Sequence, residues 1–140
     1  MNTKSIVVLQ DNIESISEIV SAIGAHKDFN VVASTQDGEE GISLIRQLKP
    51  DFVIMSIILK NADGFEVLEK IKNEEIKTMV IVVSSFTNES IIRRALSSGA
   101  VYYMAKPFKA ETLAERLTEL SSGLTYESDN QLSFKRKNTL

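Results

Sequence analysis

Five short apolar runs alternate with stretches of helical spacing, and this alternation constrains the fold more than any other feature of the chain. The runs are Ile6-Val7-Val8-Leu9, Val31-Val32-Ala33, Phe52-Val53-Ile54-Met55, Val80-Ile81-Val82-Val83 and Tyr102-Tyr103-Met104. Three are almost purely apolar and rich in β-branched residues, as strands covered on both faces must be. Between them, apolar residues recur at intervals of about three or four. Ile13, Ile16, Val20 and Ile23 mark the first such stretch, and Ile42, Ile45 and Leu48 the second. Phe65, Leu68 and Ile71 mark the third, Ile91, Ile92, Ala95 and Leu96 the fourth, and Leu113, Leu117 and Leu120 the fifth. Asn12 and Asp63 are placed to cap the first and third helices, and Gly24 and Gly99 stand where helices should stop. Such repetition predicts right-handed crossovers and an α/β fold with a doubly wound parallel sheet. In that architecture chemistry gathers beyond the carboxyl ends of the strands. The informative residues are therefore Gln10, Asp11, Ser56, Ser84 and Lys106.

A chain of 140 residues suffices for one domain with a buried core. With 43% hydrophobic and 25% charged residues it has the balance of a globular protein, not of a disordered or membrane-resident one. No apolar run approaches the roughly 18 residues that would span a bilayer. Met1-Asn2-Thr3-Lys4 leads straight into the first run without a signal-peptide pattern, so a cytoplasmic location is expected. The absence of cysteine removes disulfides, thiolate chemistry and cysteine metal sites. A net charge of −3 gives this domain no electrostatic reason to bind nucleic acid. From Ser121 the chain turns small and polar, through Leu124-Thr125-Tyr126-Glu127-Ser128-Asp129-Asn130, and ends in the basic cluster Phe134-Lys135-Arg136-Lys137-Asn138-Thr139-Leu140. Residues 1–122 are expected to form the domain and 123–140 a polar linker or solvated tail.

In order along the chain stand Gln10-Asp11, Ser56, Asp63-Gly64, Ser84, Gly99-Ala100, Tyr103 and Lys106-Pro107-Phe108. On those elements the set resembles the receiver domain of bacterial response regulators, the CheY-like family, over residues 4–122. The resemblance implies a flavodoxin-like fold with five helices and a five-stranded sheet in the order 2-1-3-4-5. It implies a phosphoacceptor position at Ser56, where the family has aspartate, and an acidic pocket at Gln10 and Asp11. Ser84 and Lys106 become the phosphate contacts and Tyr103 the switch aromatic. Gln36-Asp37-Gly38-Glu39-Glu40, Ile57-Ile58-Leu59 with Ala62-Asp63-Gly64, and Lys106-Pro107-Phe108 are similar to the receivers of sporulation master regulators of spore-forming Firmicutes. That likeness implies that the tail begins a hinge toward a DNA-binding domain.

The departures matter more than the matches. Phosphoryl transfer in the family needs an ionised carboxylate, a magnesium ion and cations for the transferred oxygens. With Gln10 and Ser56 neutral, only Asp11 carries negative charge, and Lys106 offsets it. The formal charge of the pocket rises from about −2 to about 0, and its pull on a divalent cation falls accordingly. Magnesium binding is expected to be weak or absent, at most through Asp11 and the Ile58 carbonyl, and no other cofactor is implied. Ser56 lacks an adjacent base, since the sole histidine, His26, falls after the first helix. A hydrogen bond between Ser56 and Asp11 or Lys106 is expected instead. Lys60 replaces the family's proline and either faces solvent or folds over the pocket. Gln10 either keeps internal hydrogen bonds or recognises an uncharged ligand. Ser84 and Tyr103 either preserve a phosphate-independent two-state surface or simply pack well.

The function expected is a non-enzymatic regulatory module, a pseudo-receiver working by protein contact, possibilities of transcriptional control included. Its expected interface is the helix 4–strand 5–helix 5 face, with Ile91 through Leu96, Arg93, Arg94 and the Tyr102-Tyr103 strand, toward a protein partner or a second copy. DNA would be reached only through a separate domain. Two alternatives stand beside it: a small-ligand sensor, and a receiver still phosphorylated in a phosphorelay, through Ser56 or as a variant of an active parent. A flavin site is disfavoured because Gln10-Asp11-Asn12-Ile13-Glu14-Ser15 has no glycine. A hydrolase elbow is disfavoured because Ser56 lies between Ile54-Met55 and Ile57-Ile58. Walker and dinucleotide motifs are absent.

Overall fold

A computed structural model describes residues 3–123, 125–130 and 133–137. The elements run β1 Lys4–Leu9, α1 Ile13–Gly24, β2 Phe29–Thr35, α2 Gly38–Leu48, β3 Phe52–Met55 and α3 Gly64–Asn73. They continue as β4 Met79–Ser84, α4 Glu89–Ser97, β5 Tyr102–Ala105 and α5 Ala110–Ser121. The first five strands form one parallel sheet in the order β2-β1-β3-β4-β5, as the sequence reading expects.

Alternate residues of each central strand feed opposite core layers, which explains why the strands are continuously apolar. Ile6, Val8, Phe52, Ile54, Ile81, Val83, Tyr102 and Met104 pack with Ile19, Ile23, Leu113 and Leu117 from α1 and α5. Val7, Leu9, Val53, Met55, Val80, Val82 and Tyr103 pack on the other face with Ile42, Ile45, Val67, Leu68 and Ile92 from α2, α3 and α4.

Local signals hold at the helix starts. Asn12 accepts from the Ser15 N–H at 2.8 Å, and Asp63 forms a reciprocal capping box with Glu66. Asp37 caps α2 through the Glu39 and Glu40 N–H groups. Gly24 is the last residue of α1, and Gly99 follows α4 with φ +121°, a conformation open to glycine at little cost.

Two expectations are corrected. The apolar stripe of α1 is Ile19, Ala22 and Ile23 with Ser15, whereas Ile13 is 64% exposed and Val20 also faces solvent. The helix has apolar residues on more than one face, and the sheet selects one. Beyond Gly123, where an irregular linker is expected, β6 Thr125–Asn130 and β7 Ser133–Lys137 pair antiparallel in a separate two-stranded sheet. These short strands lack the apolar alternation that makes a strand visible in sequence. The end of the basic cluster, residues 138–140, lies outside the described residues.

Candidate functional site

The parallel sheet gathers the strand-end residues at one edge. Just past β1, Gln10 is fully buried and its N–H still reaches the Thr35 carbonyl at 3.2 Å. Ser56 follows β3, is 4% exposed, and donates its N–H to the Leu9 carbonyl at 2.8 Å. Ser84 ends β4 in full burial, and Lys106, just past β5, donates its N–H to the Ser84 carbonyl at 2.9 Å. Asp11 sits beside them with its side chain about one-third exposed, at 35%. His26 lies at the opposite edge, just before β2, where Lys4 N–H pairs with the Asp28 carbonyl. It is no base for Ser56.

The ammonium of Lys106 donates to Ser15 Oγ at 2.7 Å and lies 3.7 Å from Asp11 Oδ1. This corrects the expected Ser56 contact: the lysine is drawn toward α1 instead. Ser15 was missed in the sequence. Its signal is a polar residue four positions before Ile19 on the buried stripe of an amphipathic helix. Gln10 Nε2 donates to the Val83 carbonyl at 3.3 Å, while Gln10 Oε1 is buried with no partner among the described residues. Ser84 Oγ accepts from the Phe86 N–H at 3.2 Å, and the Tyr103 hydroxyl donates to the Phe86 carbonyl at 2.8 Å. Burial pushes the Tyr103 phenol above its ordinary pKa, and a hydrogen bond with Ser84 opposes that rise.

The loop after β3 is pinned to the start of α2. Lys60 N–H donates to the Gln36 carbonyl at 3.0 Å, and the Lys60 carbonyl accepts from Gly38 N–H at 2.8 Å. A Cβ on Gly38 would lie 1.8 Å from the Ala62 carbonyl oxygen, so only glycine allows this approach. Asn61 donates to Asp37 Oδ2. The Asp37 carboxyl is held below the usual carboxylate range, first by the Glu40 N–H, then by Asn61, the Glu39 N–H and the charge of Lys60. Lys60 is exposed and acts on Asp37, in line with a solvent-facing residue and not a cover for the pocket.

The Response regulator receiver domain profile matches residues 6–118. The chain belongs to that family. It is 37% identical over 91 residues to the probable C4-dicarboxylate response regulator DctR of Bacillus subtilis (strain 168), covering 65% of this chain and 40% of that protein. The chain thus spans about two-fifths of that relative's length. Among solved structures, it resembles the response regulator domain of Thermotoga maritima CheB, with a TM-score of 0.74 at 31% identity over 85% of this chain and 93% of that one. A DNA-binding response regulator of the LuxR family from Staphylococcus aureus aligns with a TM-score of 0.79 at 26% identity, over 84% and 98%. The finer likeness to sporulation regulators is corrected by these findings, because the curated relative reported above is a C4-dicarboxylate response regulator and neither of the structures above is a sporulation regulator.

Receivers of the family use magnesium, and the residues here do not fit it. A hard divalent cation wants carboxylate oxygens. This pocket offers one carboxylate, already facing Lys106, together with one amide and two hydroxyls. Among the described residues no group of three or more His, Asp and Glu side chains could hold a metal. The expected interface also changes. Tyr102 and Tyr103 are both buried and face opposite core layers. Arg93 pairs with Glu89 at 2.8 Å, and Arg94 stacks over the Phe65 ring at 3.9 Å. The α4 surface therefore presents Arg93 paired with Glu89 and Arg94 over Phe65, without the strand tyrosines.

Proposed function

We propose that this receiver domain is a non-enzymatic regulatory module that signals by protein contact without accepting a phosphoryl group. The observation that carries the reading is the acceptor position itself: Ser56, buried, beside a pocket whose single carboxylate faces Lys106. A hydroxyl without a base is a poor nucleophile, and a pocket of near-zero charge holds a divalent cation poorly. Output would run through α4, β5 and α5 to a protein partner or a second copy, and DNA would be reached through a separate domain. No helix among the described residues is long and apolar enough to cross a membrane, and a cytoplasmic setting is part of the proposal.

The test is a titration of magnesium and beryllofluoride into the isotope-labelled protein, following the amides of Asp11, Ser84, Tyr103 and Lys106. The expected outcome is no movement at millimolar magnesium and no phosphoryl adduct by mass after incubation with acetyl phosphate. Joint, saturating shifts of those four amides would sink the reading. A second reading, an uncharged ligand bound in place of phosphate and magnesium, is supported by the neutral residues Gln10 and Ser56. A specific thermal shift with a neutral compound would mark that case.

A further inference from the structure

The Gln10 side chain spans two strands. Leu9 pairs with Met55 and Met55 with Val82, so the next row across β1, β3 and β4 holds Gln10, Ser56 and Val83. Neighbouring strands lie about 4.8 Å apart, and residues in one row of a parallel sheet share a face. Val83 belongs to the core layer under α1 and α5, and the alternation along β1 and β3 places Gln10 and Ser56 on that same side. An amide that starts on β1 and reaches the Val83 carbonyl at 3.3 Å must therefore cross the end of β3 at Ser56. Its orientation is set by chemistry. Turning the amide would aim Oε1 at the Val83 carbonyl, acceptor against acceptor. The present orientation gives one Nε2–H an acceptor and leaves Oε1 buried with no partner among the described residues.

We propose that Gln10 and Ser56 act as one unit, a side-chain strap across the end of β3 that excludes a carboxylate from the acceptor position and with it the divalent cation and phosphoryl group. Serine suits the crossing because it is small. An aspartate at position 56 would place a larger, charged group in the buried space that the amide crosses, where Oε1 offers it no donor. The strap deepens the phosphorylation-independent reading and rests on it: loss of the switch is shared by two positions and is not undone at one.

The deciding measurement compares Ser56→Asp with the Gln10→Ala/Ser56→Asp double variant, which removes the strap without adding charge, by magnesium titration, beryllofluoride-induced amide shifts and thermal melting. The double variant should bind magnesium at least tenfold more tightly than Ser56→Asp and should take up beryllofluoride, with the single variant melting lower than the native chain. Affinities within threefold of each other would overturn the strap while leaving the proposed function standing. Beryllofluoride binding by the native chain would overturn the function first. If Ser56→Asp does not fold, the folding of the double variant decides. Recovered folding supports the strap, and continued failure of that double variant overturns it.

Discussion

At the residue scale, Phe86 is held at both ends of its backbone. Its N–H is taken by Ser84 and its carbonyl by Tyr103, so the end of β4 and the middle of β5 grip the same loop position. Tyr103→Phe leaves the Phe86 carbonyl without this donor and should cost about 1–2 kcal/mol by urea denaturation at neutral pH. The pH dependence has a defined sign. The folded-state pKa of Tyr103 lies above its ordinary value of 10.0, burial being the main cause, so its contribution is fully present below pH 10.0 and fades as pH rises through the raised pKa. The native chain should thus lose stability at alkaline pH more steeply than Tyr103→Phe, as paired melts at about pH 8 and pH 10.5 would register. The residue types at Ser84 and Tyr103 were legible in the sequence. That both act on Phe86 was not, because backbone partners across a loop leave no trace in side-chain spacing.

At the element scale, the loop from Ser56 to Asp63 is tied to the start of α2 through the Lys60 backbone. The lysine at position 60 supplies an N–H that proline lacks, and that N–H bonds to the Gln36 carbonyl. Lys60→Pro should therefore destabilise the chain by about 1 kcal/mol, although proline is the family's usual residue, and a denaturant midpoint would measure it. An unchanged or raised midpoint would show that proline's stiffening outweighs the lost bond. The caps at Asn12 and Asp63 were readable because capping is local, with donor and acceptor three residues apart. The bridge between Asp37 and Lys60 was not, since it joins loops after two different strands.

For the whole molecule, stability rests on two core layers tied through the central strands. Ile54 is fully buried in β3, and Ile54→Ala should cost about 2–5 kcal/mol, while Ile13→Ala, at an exposed site, should stay within about 0.5 kcal/mol. Chemical denaturation of the pair checks the assignment of these two isoleucines to opposite environments. A second prediction concerns acid. Arg46 on α2 holds Glu74, just past α3, through hydrogen bonds of 2.8 and 2.5 Å, and the Glu74 carboxyl lies below its ordinary pKa of 4.5 mainly through that contact. Its contribution is present above pH 4.5 and lost as pH falls through the lowered pKa. Glu74→Gln should flatten the acid limb of the stability curve, and raised salt should weaken the native limb because the pair is exposed.

The sequence by itself determined the alternation of strands and helices, the parallel sheet, the helix caps and the list of strand-end residues, because periodicity and capping act over a few neighbouring positions. It also carried the neutral residue types at Gln10 and Ser56, which are read directly. Only the tertiary structure decided that Lys106 turns to Ser15, that Gln10 reaches Val83, and that the strand tyrosines face away from solvent. Each of those outcomes depends on which strands lie side by side and in what register, and contacts of 73 and 91 positions in separation are set by the sheet and not by local spacing.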